Sequence, residues 1–212
     1  MNNLLNQVSP PALPLAREQY DRPYQDQLNN VLRLYFEQLS ANLHSLIGNS
    51  GGRFVFLPYL ALSDYNSHTV TANTANAMTF SNTDAVSGFT LVANSKMTAT
   101  YTGMYNLQFS TQFQNTDTQL HDVSIWLRVN GVDVVGSTGL ISIPNSHGGT
   151  PGHAINGWNF FVQLNAGDYV EIWWSTDNAA VTIQTYAASA GPTRPSTASN
   201  VATLTFVSAY GA

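Results

Sequence analysis

The sequence predicts a mainly β protein, a two-sheet jelly-roll sandwich preceded by an extended N-terminal arm and one amphipathic helix. The stretch GMYNLQFSTQF at 103–113 alternates apolar and polar residues, which is the period of a half-buried strand. Residues 23–47 have helical periodicity, and strand-type segments separated by Gly, Asn and Asp turn signals follow residue 53. We therefore divide the chain into an arm (1–20), a stalk helix (21–48), a Gly-rich linker (49–53) and a jelly-roll head domain (54–212).

The composition excludes several classes of function. Only 9% of the 212 residues are charged, and a net charge of -5 with 7 Lys and Arg leaves no basic patch for nucleic acid. The chain has no Cys, so it can form neither a disulfide nor a thiolate metal site. No segment approaches the roughly 18 apolar residues of a membrane span, and the first residues do not resemble a signal peptide. We expect a soluble cytosolic product without membrane insertion, including one assembled into a particle that later leaves the cell.

The first twenty residues predict an extended arm, because Pro10, Pro11 and Pro14 are incompatible with a regular helix. A disordered tail is one interpretation, since chain termini often fray. The apolar residues between the prolines favour the other interpretation, an arm that docks on a partner, because a solvated tail does not need them. The anchoring candidates are Leu4, Leu5, Val8, Leu13 and Leu15.

The helix at 23–47 is predicted from its apolar spacing, with Asp21 as a cap and Pro23 in the first turn. One set of residues recurs at alternating spacings of four and three, as in a coiled coil. This seam consists of Leu28, Leu32, Tyr35, Leu39, Asn42 and Leu46. Further apolar residues beside the seam favour three associating helices, and the flexible linker favours self-association over a helix packed on its own β domain.

The strands after residue 53 are bounded by clear turn signals at Asn130-Gly131, at 165–168 and at Gly191-Pro192. Pro58 makes the first strand an edge strand or an interrupted one. We expect the segments that begin at Val123, Trp158 and Ala180 to supply the neighbours of the strand at 103–113.

The alternation along these strands places four aromatic residues off the core. In VSIWLRV, which begins at Val123, the alternate apolar residues Val123, Ile125 and Leu127 face the core. Trp126 therefore faces outward. The same argument applies to YVEIWWS and WNFFVQL. The outward aromatics are Trp126, Phe161, Tyr169 and Trp173. A monomer rarely exposes so much apolar surface, so we expect a trimer interface, with a sugar-stacking site as the alternative.

The order of three motifs resembles the C1q/tumour-necrosis-factor-like jelly roll. These are GMYNLQF at 103–109, LRVNG at 127–131 and LNAGDYVEI at 164–172, followed by a closing apolar strand. The residues that match the family pattern are Gly103, Tyr105, Asn130, Gly131, Gly167, Asp168 and Val170. Phe109 lies later than the family's aromatic residue and the closing strand lacks its Phe-x-Gly, so the resemblance is to a divergent member.

The arm and helix, joined to a domain containing HDVSIWLRVNG and IPNSHGG, also resemble virion structural proteins of tailed phages, particularly those of marine bacteria and cyanobacteria. This resemblance implies a homotrimeric head on a short stalk, attached to other virion proteins by its N-terminal part. The expected function is therefore a non-enzymatic capsid decoration (cement) protein or short fibre on the particle surface. The alternative is a receptor- or glycan-binding fibre tip whose partner is a host-surface glycan.

Residue types suited to catalysis or metal binding form no compact motif. His121, His147 and His153 lack ligand spacing, and there is no Gly-x-Ser-x-Gly elbow, phosphate loop or dinucleotide fingerprint. We therefore expect neither an enzyme nor a cofactor. Calcium is kept as an alternative because oxygen ligands suffice for it. The candidate carboxylates are Asp117, Asp122, Asp133 and Asp177.

Overall fold

The computed structural model describes residues 10–15, 18–47 and 57–208, and it describes the side chains of the helix as far as Leu43. The chain divides into two compact units, Met1–Phe56 and Leu57–Ala212. The predicted linker at 49–53 lies outside the described residues, as do the anchoring candidates Leu4, Leu5 and Val8.

Helix α1 spans Arg22–Ile47, one residue longer at its start than predicted. The Gln25 N–H donates to the Asp21 carbonyl at 3.0 Å, so Asp21 occupies the cap position. The seam residues from Leu28 to Asn42 are half-buried, and the Leu46 side chain lies outside the described residues. Self-association through this seam stays a prediction. In the described part of the chain, no helix is long and apolar enough to cross a membrane.

The described part of the arm, residues 10–15, has no regular secondary structure, as the prolines predicted. The Tyr24 hydroxyl donates to the Pro14 carbonyl at 3.3 Å, which joins the arm to the first turn of α1. Leu13 and Leu15 are 52% and 91% exposed. The two described anchoring candidates therefore present apolar side chains to solvent within this unit.

The second unit is built from antiparallel strands. In chain order they are β1 (Tyr59–Asp64), β2 (Asn76–Ala77), β3 (Asn82–Ser87), β4 (Phe89–Val92), β5 (Lys96–Ala99), β6 (Gly103–Asn115), β7 (His121–Val129), β8 (Val132–Asp133), β9 (Gly139–Ile143), β10 (Gly152–Leu164), β11 (Tyr169–Thr176), β12 (Val181–Ile183), β13 (Ser189–Ala190), β14 (Thr193–Arg194) and β15 (Asn200–Ser208). The first sheet has the order β10–β6–β15–β1–β3, with β12 also on β6. The second has the order β4–β5–β11–β7–β8, with β2 on β11 and β9 on β7.

The predicted fold class, mainly β in a two-sheet sandwich with one helix, is confirmed. The long strands β6, β7, β10, β11 and β15 alternate between the two sheets along the chain. As predicted, β6 is central, and β10 and β12 pair with it. The expectation that β7 and β11 also neighbour β6 is wrong, because both belong to the second sheet. Alternation shows which side chains are buried, but it does not show which strands share a hydrogen-bond ladder.

The first strand begins at Tyr59, immediately after Pro58, and pairs with β15 on one side and β3 on the other. Residues 53–56 lie outside the described residues, so the interpretation that Pro58 interrupts a longer strand stays a prediction. The other interpretation, an edge strand, is wrong. The Pro58 carbonyl accepts a hydrogen bond from the Phe206 N–H of β15 at 3.0 Å, so pairing with β15 uses the carbonyl and not the missing N–H of the proline.

The core lies between the sheets and is filled by the predicted face of β6 and the inward faces of β7 and β11. Tyr105, Leu107 and Phe113 are buried, and Phe113 packs on Trp174 of the second sheet with ring centroids 5.6 Å apart. A side chain on Gly139 of β9 would overlap the indole of Trp158. The sheets therefore approach closely enough at this edge that only glycine fits.

Candidate functional site

The outer face of the second sheet carries two tryptophans side by side. Strands β7 and β11 pair antiparallel, so that Trp126 lies opposite Trp173 and Arg128 lies opposite Glu171. Residues two apart on a strand face the same way, so these four side chains share one surface. Together with Asp133 of β8, they form what we call the aromatic face.

Asp133 links Trp126 to Arg128. The Trp126 Nε1–H donates to Asp133 Oδ1 at 2.7 Å, and the Arg128 Nε–H donates to the same oxygen at 2.8 Å. The guanidinium, and after it the indole N–H, lower the pKa of Asp133. The turn at Asn130 and Gly131, with φ of 50° and 81°, folds β8 back onto β7 and sets Asp133 opposite Arg128. The predicted hairpin thus positions the carboxylate.

Trp173 is held from two sides. The Arg128 guanidinium carbon lies 3.8 Å from the centroid of the indole ring, which is a cation–π contact. The Trp173 Nε1–H donates to Glu171 Oε2 at 3.3 Å. Glu171 is only 4% exposed, and its other oxygen accepts a hydrogen bond from the Ser95 hydroxyl at 2.6 Å. These contacts within the chain set the orientations of both indoles.

The four predicted outward aromatics all lie outside the buried core, but the structure does not bring them together. Trp126, Trp173 and Tyr169 are half-buried on the second sheet, where Lys96 Nζ lies 4.8 Å from the centroid of the Tyr169 ring. Phe161 lies on β10 of the first sheet and is 66% exposed. One interface through one sheet therefore cannot contain all four.

The outer face of the first sheet has a different composition. Its described strands β6, β10 and β15 contain no Asp, Glu, Lys or Arg. Phe161 lies opposite Asn106, which in turn lies opposite Thr205. Ile155, on the same side of β10 as Phe161, is 72% exposed. We call the outward residues of these three strands the uncharged face.

The carboxylates considered for calcium divide between two places. His121 Nε2 lies 2.8 Å from Asp117 Oδ2, and His121 Nδ1 lies 3.2 Å from Asp177 Oδ1. The Asp117 carboxylate raises the pKa of His121, and the imidazole lowers the pKa of Asp117. Asp122 is next to His121, whereas Asp133 lies opposite Arg128 near the other end of β7. The four carboxylates do not converge, and the described residues contain no group of three or more side chains suited to hold a metal ion.

A second polar cluster surrounds Asp64, which is 1% exposed. Its Oδ1 accepts hydrogen bonds from the Asn66 backbone N–H at 2.9 Å and from the Ser81 hydroxyl at 2.9 Å. Its Oδ2 lies 3.0 Å from His68 Nε2. Both oxygens are therefore engaged with neighbours within the chain, and the cluster holds two loops together at the end of β1.

Sequence reasoning identified the tryptophans but missed the charged residues beside them. Arg128 and Glu171 carried a usable signal, because each shares strand parity with a predicted outward tryptophan. The contact between Asp133 and Trp126 could be predicted only by folding β8 back onto β7 through the hairpin turn. Ser95 gave no signal, because its partner Glu171 is distant in the sequence. Asp64 was missed although Asn66 and His68 lie within four residues of it.

Neither the protein-family models nor the curated proteins compared with this chain match it. The resemblance to the C1q/tumour-necrosis-factor-like jelly roll therefore stays a prediction.

Proposed function

We propose that the chain is a non-enzymatic structural protein of a virus particle. It forms a homotrimer that is displayed on the particle surface as a capsid decoration or short fibre, and its arm and helix attach it to other virion proteins. The observation that carries this proposal is the uncharged face with the exposed Phe161 and Ile155.

The composition of the uncharged face supports self-association. Cores of protein interfaces are depleted of charged residues and enriched in aromatic ones. Three adjacent strands without a charged residue offer such a surface, and Phe161 projects from it with two thirds of its surface exposed. Around a threefold axis, three copies of this surface would bury the phenyl rings without burying an unpaired charge.

The N-terminal unit supports attachment to a particle. Leu13, Leu15 and, on α1, Leu34, Phe36 and Leu43 are exposed, although a solvated segment gains nothing from apolar side chains. Three helices associating through the half-buried seam would cover part of this surface and form a stalk. The exposed leucines of the arm would then contact another virion protein.

The positions of the resemblance motifs support a C1q/tumour-necrosis-factor-like head. Gly103 begins the central strand β6, and the Asn130-Gly131 turn joins β7 to β8. The Asn130 Nδ2–H donates to Asp168 Oδ1 at 2.7 Å, so two motifs that are distant in the sequence are in contact. The Asn165 backbone N–H and then Asn130 lower the pKa of Asp168, which indicates that its carboxylate secures the turn before β11.

The mass of the full-length chain in solution tests the trimer. Light scattering should give three times the 23.0 kDa of one chain. In a chain that begins at Arg53 and has no stalk helix, Phe161→Asp should lower the mass to that of one head, because it places a carboxylate in the interface. Leu140→Asp is the matched control, since Leu140 is 75% exposed on the other sheet. A monomeric wild-type chain would contradict the proposal.

Attachment is tested with particles that lack the full-length protein. A truncated chain beginning at Arg53 should fold, because it contains the whole second compact unit, but it should not bind these particles. The full-length chain should restore binding. Normal binding of the truncated chain would show that the arm and helix have no role in attachment.

A further inference from the structure

We propose that the aromatic face binds a neutral carbohydrate, with one pyranose ring against Trp126 and two adjacent hydroxyls on Asp133 and Arg128. The site goes beyond the structural role above. The sugar site depends on the proposed structural role in one respect. The chain must assemble through the uncharged face, because the second sheet then stays accessible to a sugar.

Asp133 and Arg128 have hydrogen-bonding capacity left over beside the indole. Asp133 Oδ1 accepts both internal hydrogen bonds, while Oδ2 accepts none from the described part of the chain. Arg128 donates through Nε, and its two terminal nitrogens donate to no described residue. The side chain of Asp133 is 59% exposed and that of Arg128 is 21% exposed. The free groups are therefore one carboxylate acceptor and a set of guanidinium donors, held together by an ion pair.

This pair of groups matches two neighbouring hydroxyls of a sugar. One hydroxyl can donate to Asp133 Oδ2 while the next accepts from an Arg128 N–H, so each charged group gains a partner. The apolar face of the pyranose can then lie on the Trp126 indole, as ligands do in sites that combine aromatic side chains with a few placed polar groups. The bond from Trp126 to Asp133 fixes the indole in advance, which lowers the ordering cost of binding.

The charges on this face favour a sugar over a second copy of the chain. A protein surface docked here would desolvate Asp133 and Arg128, and it would have to supply partners for both. Hydroxyl groups donate and accept alike, so a sugar satisfies both without a matching charge. Asp133 and Arg128 already form an ion pair, so the ligand needs no charge of its own and a neutral sugar suffices.

The first experiment probes the full-length chain with a glycan array. Methyl glycosides of glucose, galactose, mannose and N-acetylglucosamine are then titrated while tryptophan fluorescence and calorimetric heat are recorded. At least one neutral glycan should bind and change the fluorescence. Absence of binding in both the array and the titrations would overturn the proposal and would leave the trimer proposal intact.

Variants then place the binding on the aromatic face. Trp126→Ala and Asp133→Asn should each weaken binding by about tenfold or more, the second with little change in shape. Tyr169→Phe is the control that should bind as the wild type does. Light scattering on each variant separates the two proposals. Unchanged binding by Trp126→Ala and Asp133→Asn would overturn the site, as would a loss of binding seen only when the trimer dissociates.

Discussion

The aromatic side chains on the two outer faces of the sandwich differ in their burial and in their hydrogen-bond partners. On the second sheet, Trp126 and Trp173 are half-buried, and each donates its indole N–H to a carboxylate of the same chain. On the first sheet, Phe161 is 66% exposed on strands without charged residues. The same alternating pattern placed all three residues outside the core.

We infer from this difference that an outward aromatic side chain does not by itself indicate a subunit interface. A side chain already anchored by charged neighbours gains little from burial against another subunit, because those charges would lose their solvent. When an exposed phenyl ring on an uncharged surface is buried, the full hydrophobic free energy of its apolar area stabilises the contact. We therefore propose assembly through the uncharged face and ligand binding through the aromatic face.

The adjacent residues Trp173 and Trp174 test the difference between an outward and an inward indole. Trp174 is 1% exposed, so Trp174→Ala should lower the free energy of unfolding by about 3–5 kcal/mol. Trp173→Ala should cost about 1 kcal/mol, since it loses mainly the Arg128 stacking and one hydrogen bond. Urea unfolding of both variants measures this. Equal losses would show that the aromatic face is part of the core.

Trp126→Lys distinguishes anchoring within the chain from contact between subunits. It removes the hydrogen bond to Asp133 and places a cation beside Arg128, so it should lower the free energy of unfolding by about 1–3 kcal/mol. The mass in solution should stay that of the wild type. If Trp126→Lys dissociated the trimer while Phe161→Asp stayed fully assembled, the aromatic face and not the uncharged face would be the subunit interface.

The pH dependence of stability should reveal the ion pair of the aromatic face. The folded-state pKa of Asp133 is lowered from 3.8, so its contribution is present above the unfolded value and is lost as pH falls through the folded value. The difference in melting temperature between the wild type and Asp133→Asn should therefore shrink below about pH 4. Arg128→Gln should reduce this pH dependence more than Trp126→Phe, because Arg128 is the larger cause of the lowered pKa. A constant difference down to acid pH would contradict the pairing.

Phe161→Ala should have the smallest effect on the unassembled head. The exposed phenyl ring makes no ring-stacking contact within the described residues, so its removal should change the free energy of unfolding by less than about 0.5 kcal/mol. Urea unfolding of a chain beginning at Arg53, diluted until light scattering shows monomers, provides the measurement. A larger loss in the monomer would mean that Phe161 packs within its own chain.

Much of the fold follows from local patterns. The helix start at Arg22, the buried residues of β6 and the turn at Asn130 and Gly131 each depend on residues close together in the sequence. Helical spacing, a period of two and an Asn-Gly pair are local constraints on the backbone. They therefore predicted these elements without knowledge of their neighbours.

The sequence by itself determined that Trp126, Phe161, Tyr169 and Trp173 lie off the core, because the period of a strand fixes the side on which each residue projects. Only the tertiary structure placed Phe161 on one sheet and the other three on the second. It alone brought Asp133 to Trp126 and Ser95 to Glu171. The physical reason is that the assignment of strands to sheets and the contacts between distant residues depend on the packing of the whole core, which no local periodicity encodes.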